Sequence, residues 1–304
     1  MAISRAQLVK ELEPGLNALF GLEYKRYENQ HAEIYTTESS DRAFEEEVML
    51  SGFANANVKV EGSGVSYDEA QETYTARYTH DTIALAFSIT EEAIEDNLYD
   101  RLASRYTKAL ARSMSNAKQV KAVTPLIDGL PSTDGFDSGD GVSLFNTAHT
   151  TVSGTNVKNT LTTQADLNET SLEQALIDIA AMTDERGLRV AARAMKMIIP
   201  SANQFTAERL MKSQGRTGTA DNDINAIVSM GMVPQGYRVN NFLTDTDAFF
   251  LITDVPNGMK YFERSPIRTA MEGDFDTGNV RYKARERYVF GVSDPRGIFG
   301  SPGA

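Results

Sequence analysis

His149 is one of three histidines in a chain of 304 residues, and it lies in the stretch DGVSLFNTAHTTVSGTNVKNTL (140–161). Asp137 and Asp140 precede it, and Thr147 and Thr150 flank it. A histidine beside carboxylates and hydroxyls is material for general-base or nucleophilic catalysis, which needs an orienting acid and a nucleophile or metal within reach. The signals that accompany such sites are missing. There is no GxSxG elbow and no HExxH helix, and His31 and His80 fall in other segments. With no cysteine, disulfides, thiolate nucleophiles and thiolate metal sites are excluded. GDGVSLF and GSG lack the preceding strand, the following helix and the Lys-Ser/Thr of a phosphate loop. DSGDG (137–141) starts like a calcium loop, but its acidic ligands do not continue at alternate positions and no glutamate closes it. The expected reading is a connector that His149 helps to order, with a hydrolase using His149 as the weaker alternative. No cofactor or metal site is expected.

Charge narrows the partners. The net charge is −12, which argues against a surface that grips nucleic acid, since that affinity comes mainly from Lys and Arg neutralising phosphates. Residues 1–100 hold 20 acidic and 7 basic side chains, so the first third carries all the excess. No stretch approaches the roughly 20 apolar residues of a membrane span, and the first 20 residues lack the apolar core of a signal peptide. A soluble cytoplasmic product is the expectation.

The elements that must position these residues can be read from periodicity. Leu8 to Phe20 is a short amphipathic start, interrupted at Pro14-Gly15, and a polar arm follows with an acidic run at Glu45-Glu46-Glu47. Residues 57–67 and 73–89 predict two strands of a hairpin, with Tyr74, Ala76 and Tyr78 alternating against Thr75 and Arg77. A two-stranded ribbon is marginal in water, and its open edges invite another chain. Thr90 opens the longest helical pattern, in which Ile94, Leu98, Leu102, Tyr106, Leu110 and Met114 recur every four residues until Pro125. Residues 128–165 form a long polar loop with an apolar island at Val142-Ser143-Leu144-Phe145. Thr170 and Glu173 predict a capping box for a helix ended by Gly187. MKMIIP (195–200) predicts a buried strand, and Ser201 to Gly215 a third helix carrying Phe205 and Leu210. Residues 215–225 predict a flexible loop, and short strands follow. The last strand, 279–292, is the clearest. Val280, Tyr282, Ala284, Tyr288 and Phe290 share one face, interrupted by Glu286, while Arg281, Lys283, Arg285 and Arg287 share the other. That basic face suits pairing with an acidic strip such as Glu45-Glu46-Glu47 of another copy, ahead of nucleic-acid contact, with plain solvation an equal alternative.

In its order of elements this α+β chain resembles the major capsid proteins of tailed bacteriophages, the Hong-Kong-97-like fold. The stretch 140–161, then SLEQALIDIAAM, RAMKMIIPSANQFTAERLM and VNNFLTDTDAFFLITDVPNGMKYFERSPI, is similar to the Mu-like major head subunit branch. The resemblance implies an N-terminal arm (1–40), an extended hairpin loop (41–88), a peripheral domain with a spine helix (89–202), an axial domain (203–264) and a return to the peripheral domain (265–304). It implies copies gathered into hexamers and pentamers of an icosahedral shell that encloses double-stranded DNA, built in the host cytoplasm and present in the virion. A separate scaffolding protein, a portal and a cement protein are the implied partners. The candidate subunit-interface residues are Glu45, Glu46, Glu47, Tyr74, Tyr78, Arg281, Lys283, Arg285 and Arg287. An encapsulin-like compartment around a protein cargo is the alternative on the same fold.

Overall fold

The computed structural model describes residues 5–95, 99–130, 135–216, 223–274 and 277–304. Leu98 and the loop at 217–222 lie outside the described residues, as do the side chains of Leu8, Ile94 and Leu102. Helix α1 (Arg5–Arg26) runs through Pro14 without a break. Its buried Leu16 and Phe20 pack on the body of the chain, and this packing carries the helix past the expected interruption. A 3-10 turn leads to β1 (Thr36–Ser39), and the hairpin strands are β2 (Phe44–Leu50) and β3 (Glu72–Thr79). β4 (Asp81–Ile89) follows after a single residue, His80. The expected strand at 57–67 is therefore corrected. Residues 51–71 form no strand, and 73–89 is two strands in two different sheets. The alternation of Val58 and Val60 is real, but it has no partner strand among the described residues.

After α2 (Glu91–Glu95) comes α3 (Tyr99–Asp128), whose 30 residues make a rod about 45 Å long. Pro125 lies inside α3 rather than ending it. Only three helical residues follow, and fully buried Ala122 and Leu126 hold that last turn against the core. The polar connector contains two short strands, β5 (His149–Thr150) and β6 (Asn156–Val157). Helix α4 (Glu169–Ala180) starts earlier than its predicted cap. Asn168, in extended conformation, accepts from the Ser171 amide, while Ser171 Oγ accepts from the Asn168 amide, so the box is Asn168–Ser171 rather than Thr170–Glu173. The helix also ends before Gly187. Asp184 Oδ1 takes the amides of Arg186 and Leu188, and Gly187 supplies the positive φ of +84° for that turn. The remaining elements are β7 (Ala194–Ile199), α5 (Gln204–Lys212), α6 (Ala226–Ser229), β8 (Tyr237–Val239), β9 (Phe249–Thr253), β10 (Met259–Gly273), β11 (Val280–Val292) and β12 (Ile298–Ser301). On α5, Leu210 is buried and Phe205 is exposed.

Two four-stranded sheets organise the body. The first has the order β1-β10-β11-β4, with β1 parallel to β10 and the other pairs antiparallel. The second has the order β12-β9-β7-β8, so strands from both sides of residue 203 share one sheet. α1 and α3 cover the inner face of the first sheet, where Leu16, Phe20, Leu110 and Met114 meet Tyr282 and Ala284. α4 and α5 pack on the second sheet around Leu172, Ile179, Met197, Leu210 and Leu251.

Glu286 interrupts the apolar face of β11 for a reason visible in the core. Its carboxylate is buried and accepts from Lys118 Nζ on α3 at 3.2 Å and from Tyr24 of α1 at 3.3 Å. Burial raises the Glu286 pKa, and the Lys118 ammonium opposes that rise. The ammonium also stands over the rings of Tyr261 and Tyr288, at 5.2 and 5.0 Å from their centroids. One buried pair thus ties helix, sheet and arm together. Glu286→Ala should lower unfolding free energy by about 3–5 kcal/mol, because Lys118 is left charged in the core. Lys118→Met with Glu286→Leu should restore most of it, as read from the denaturant midpoint.

Candidate functional site

The hairpin is anchored at its root to the outward face of the first sheet. Ala76 and Tyr78 of β3 point down onto Phe262 of β10 and Val289 of β11. The Tyr78 ring meets Phe262 edge-on at 4.8 Å, and it lies so close to Gly291 that a Cβ there would come within 2.5 Å of it. Below the ring runs a chain of polar contacts. The Tyr78 hydroxyl bonds Ser293 Oγ, which donates to Glu47, which also accepts from Lys260; Glu38 pairs with the same ammonium at 3.0 Å. Tyr74 donates to the Ser293 carbonyl and crowds Gly139. Tyr78, at 3% exposure, together with Tyr74 and Glu47, is thus engaged by its own chain. Whatever else these three meet, each is already held by contacts within one copy. Lys260 and Ser293 escaped sequence reasoning, since a lone lysine in an apolar strand and a serine in a turn carry no signal.

The other six candidates are more open. Glu46 is exposed and lies 3.7 Å from Arg77 across the hairpin, and Glu45 accepts from Ser40 at 2.6 Å. Arg281, Lys283, Arg285 and Arg287 do line one face of β11, as its period-two pattern predicts. Arg281 pairs with Asp274. Lys283 and Arg285 have no ion pair among the described residues, and Arg285 stands directly opposite Arg268 of β10. Beside them, β4 presents Thr82, Ala84, Ala86 and Ser88, so the cations rise from a floor of small side chains. A groove of about 600 Å³ opens there between Ala86, Ala270, Glu272, Arg281 and Lys283.

Above the root the loop extends without strand pairing. Arg186 holds its base through the Glu69 carbonyl and Asp68. Beyond that, Val58, Val60, Val65 and Tyr67 are exposed, Val58 to 94% and Tyr67 to 97%. Four large apolar side chains on one loop are thus left facing solvent.

His149 sits elsewhere, at 4% exposure. Its Nδ1 lies 2.6 Å from Asp140 Oδ2, and its Nε2 lies 3.1 Å from Asn159 Oδ1 and 3.2 Å from the Leu144 carbonyl. Asn159 is the hub. It donates to the carbonyls of Leu144 and Pro295, and its Oδ1 accepts from the Asn146 amide. Both ring nitrogens are thus spent on fixing the connector. No group of three or more His, Asp or Glu that could hold a metal occurs among the described residues.

A family model described as phage capsid protein matches residues 73–300, three quarters of the chain. This chain belongs to the phage capsid protein family. Solved structures agree in fold. The capsid of an empty GTA particle superposes with a TM-score of 0.57 at 12% identity, over 89% of this chain and 88% of that one. The capsid of Myoviridae phage XM1 gives 0.52 at 11%, over 89% of each. The virus-like particle from Pyrococcus furiosus gives 0.50 at 9%, over 94% and 97%. No curated protein matches in sequence. The fold is the Hong-Kong-97-like shell fold, and this capsid protein has a structural role.

Within the capsid protein, His149 and Asn159 bond the connector to itself and to Pro295. Asn159→Ala leaves two buried carbonyls and one amide without their partner. It should cost about 1–3 kcal/mol, seen as a lower thermal midpoint of the purified chain, with His149→Ala showing a smaller fall.

Proposed function

We propose that the capsid protein forms hexamers and pentamers of an icosahedral shell around double-stranded DNA. The match to the capsid family over most of the chain carries this reading. The net charge of −12 suits a container, because a lining that attracted phosphate would hold the DNA it must admit and release. Assembly in the host cytoplasm, with a separate scaffold, a portal and a cement protein, belongs to the same proposal. So does the division into arm, extended loop, peripheral and axial parts. An enzyme is not needed to account for any part of the chain.

The contact between copies follows from charge and exposure. Residues 41–72 carry eight acidic and two basic side chains, while the open face of β11 is cationic. In our reading, the extended loop of one copy lies toward the basic face of the next, with Glu45 and Glu46 among its acids. The exposed tip valines and Tyr67 lose water on that neighbour. Obligate contacts of this kind bury roughly 2,000–5,000 Å².

Two variants test it. Lys283→Glu with Arg285→Glu should block shell formation in negative-stain images while the single chain keeps its thermal midpoint, since Arg285 faces Arg268 and loses no ion pair. Val58→Ser with Val60→Ser should do the same through the apolar tip. Normal particles from both would refute the pairing. DNA or a protein cargo inside purified particles separates the phage shell from an encapsulin-like compartment.

A further inference from the structure

His80 occupies the single position between the hairpin and the body. β3 ends at Thr79 and β4 begins at Asp81. The ring is 6% exposed, and its Nε2 lies 2.7 Å from Ser40 Oγ. Ser40 is where the chain leaves β1 for the other hairpin strand, so this contact joins the two legs of the hairpin at their root. Its roles are fixed by the next bond. Ser40 Oγ donates its hydrogen to Glu45 Oε1 at 2.6 Å, so it accepts from His80 Nε2. The neutral ring then leaves Nδ1 as a bare acceptor, buried and without a partner.

The surroundings of Nδ1 are cationic. Arg264 of β10 and Arg287 of β11 both act on the ring, and the Nε of each is also buried without a partner. The acids in range are Glu45 of β2 and Asp81 of β4. Glu45 is bonded to Ser40, and Asp81 to Lys121 of α3. Arg264 has a distant pairing with exposed Asp41, at 4.0 Å. A proton added at Nδ1 would thus place a third positive charge beside two half-buried guanidinium groups, with no acceptor prepared for it.

We propose that His80 is an acid-sensitive hinge pin for the extended hairpin: the neutral ring fastens both strands through Ser40 and Glu45, and the doubly protonated ring, set against Arg264 and Arg287, releases them. The proton comes from solvent and no covalent bond changes. Burial first, and then Arg287, hold the ring's pKa below its ordinary value of 6.5. The fastening is therefore complete above pH 6.5 and is lost as pH falls through the lowered value. Movement of the hairpin at constant body structure is the output, and it is independent of how copies pair.

Hydrogen–deuterium exchange of the full chain, held as a verified single copy, tests this at pH 7.5 and pH 5. Protection is taken relative to intrinsic exchange, with β7 and β9 as internal reference. In the wild type, protection of 44–50 and 72–79 should be lost at pH 5 relative to pH 7.5, while β7 and β9 hold steady. His80→Gln, whose amide can reach Ser40 but takes no proton, should remove that response. Arg287→Gln should move its midpoint to higher pH by relieving the like charge. Constant hairpin protection in the wild type, or an equal fall in His80→Gln, overturns the proposal. Should His80→Gln fail to fold, an unmoved midpoint in Arg287→Gln overturns it alone.

Discussion

A ribbon two strands wide has no interior, so its backbone hydrogen bonds and apolar side chains are sheltered only where something else covers them. Every other feature of this capsid protein works within that constraint. Where β2 and β3 cross the first sheet, they are covered by their own chain. Tyr78 closes over Phe262 and Gly291, and beneath it Glu38 and Glu47 share the Lys260 ammonium while Ser293 donates to Glu47. Where the loop runs past Arg186, cover stops, and the apolar side chains face water. The boundary between the two regimes is sharp, and it falls within one loop.

The body beneath is built to hold that root still. α3 spans the inner face of the first sheet, and the buried Lys118–Glu286 pair, with Tyr24, joins three elements distant in sequence. Such a pair adds little net stability against an apolar alternative, but losing either partner leaves a charge stranded in the core. The connector around Asn159 does the same for the far side, linking Leu144 to Pro295. Rigidity in the body is what makes an outstretched loop useful, since a partner then meets the loop at a fixed place.

Much of this was legible in the residues. The two faces of β11 were readable because a strand half-buried along its whole length must alternate, and even the exception at Glu286 stood out. The long helix came from a similarly strong local pattern, and the capsid resemblance from the order of the elements. The hairpin was misread because alternation reports burial in some context without saying which. Val58 and Val60 alternate with no partner strand among the described residues, while β2, rich in glutamate, pairs with β3. Tyr74 and Tyr78 looked available for a neighbour because nothing in the sequence tells that Gly139 and Gly291 leave room for their rings. Caps and turns were displaced by two or more residues, since Asn168 and Asp184 compete with nearby residues for the same amides, and geometry decides between them.

Arg268 and Arg285 face each other across adjacent strands with no acid between them. Like charges so placed cost the solitary chain about 0.2–1 kcal/mol. A single copy is thus slightly ill at ease, and the discomfort is relieved by any carboxylate that arrives. In the pairing of copies proposed above, dissolved ions compete for that place, so the concentration at which copies begin to gather would climb with ionic strength, and a dilute, salty milieu would keep the pieces apart until their number is sufficient.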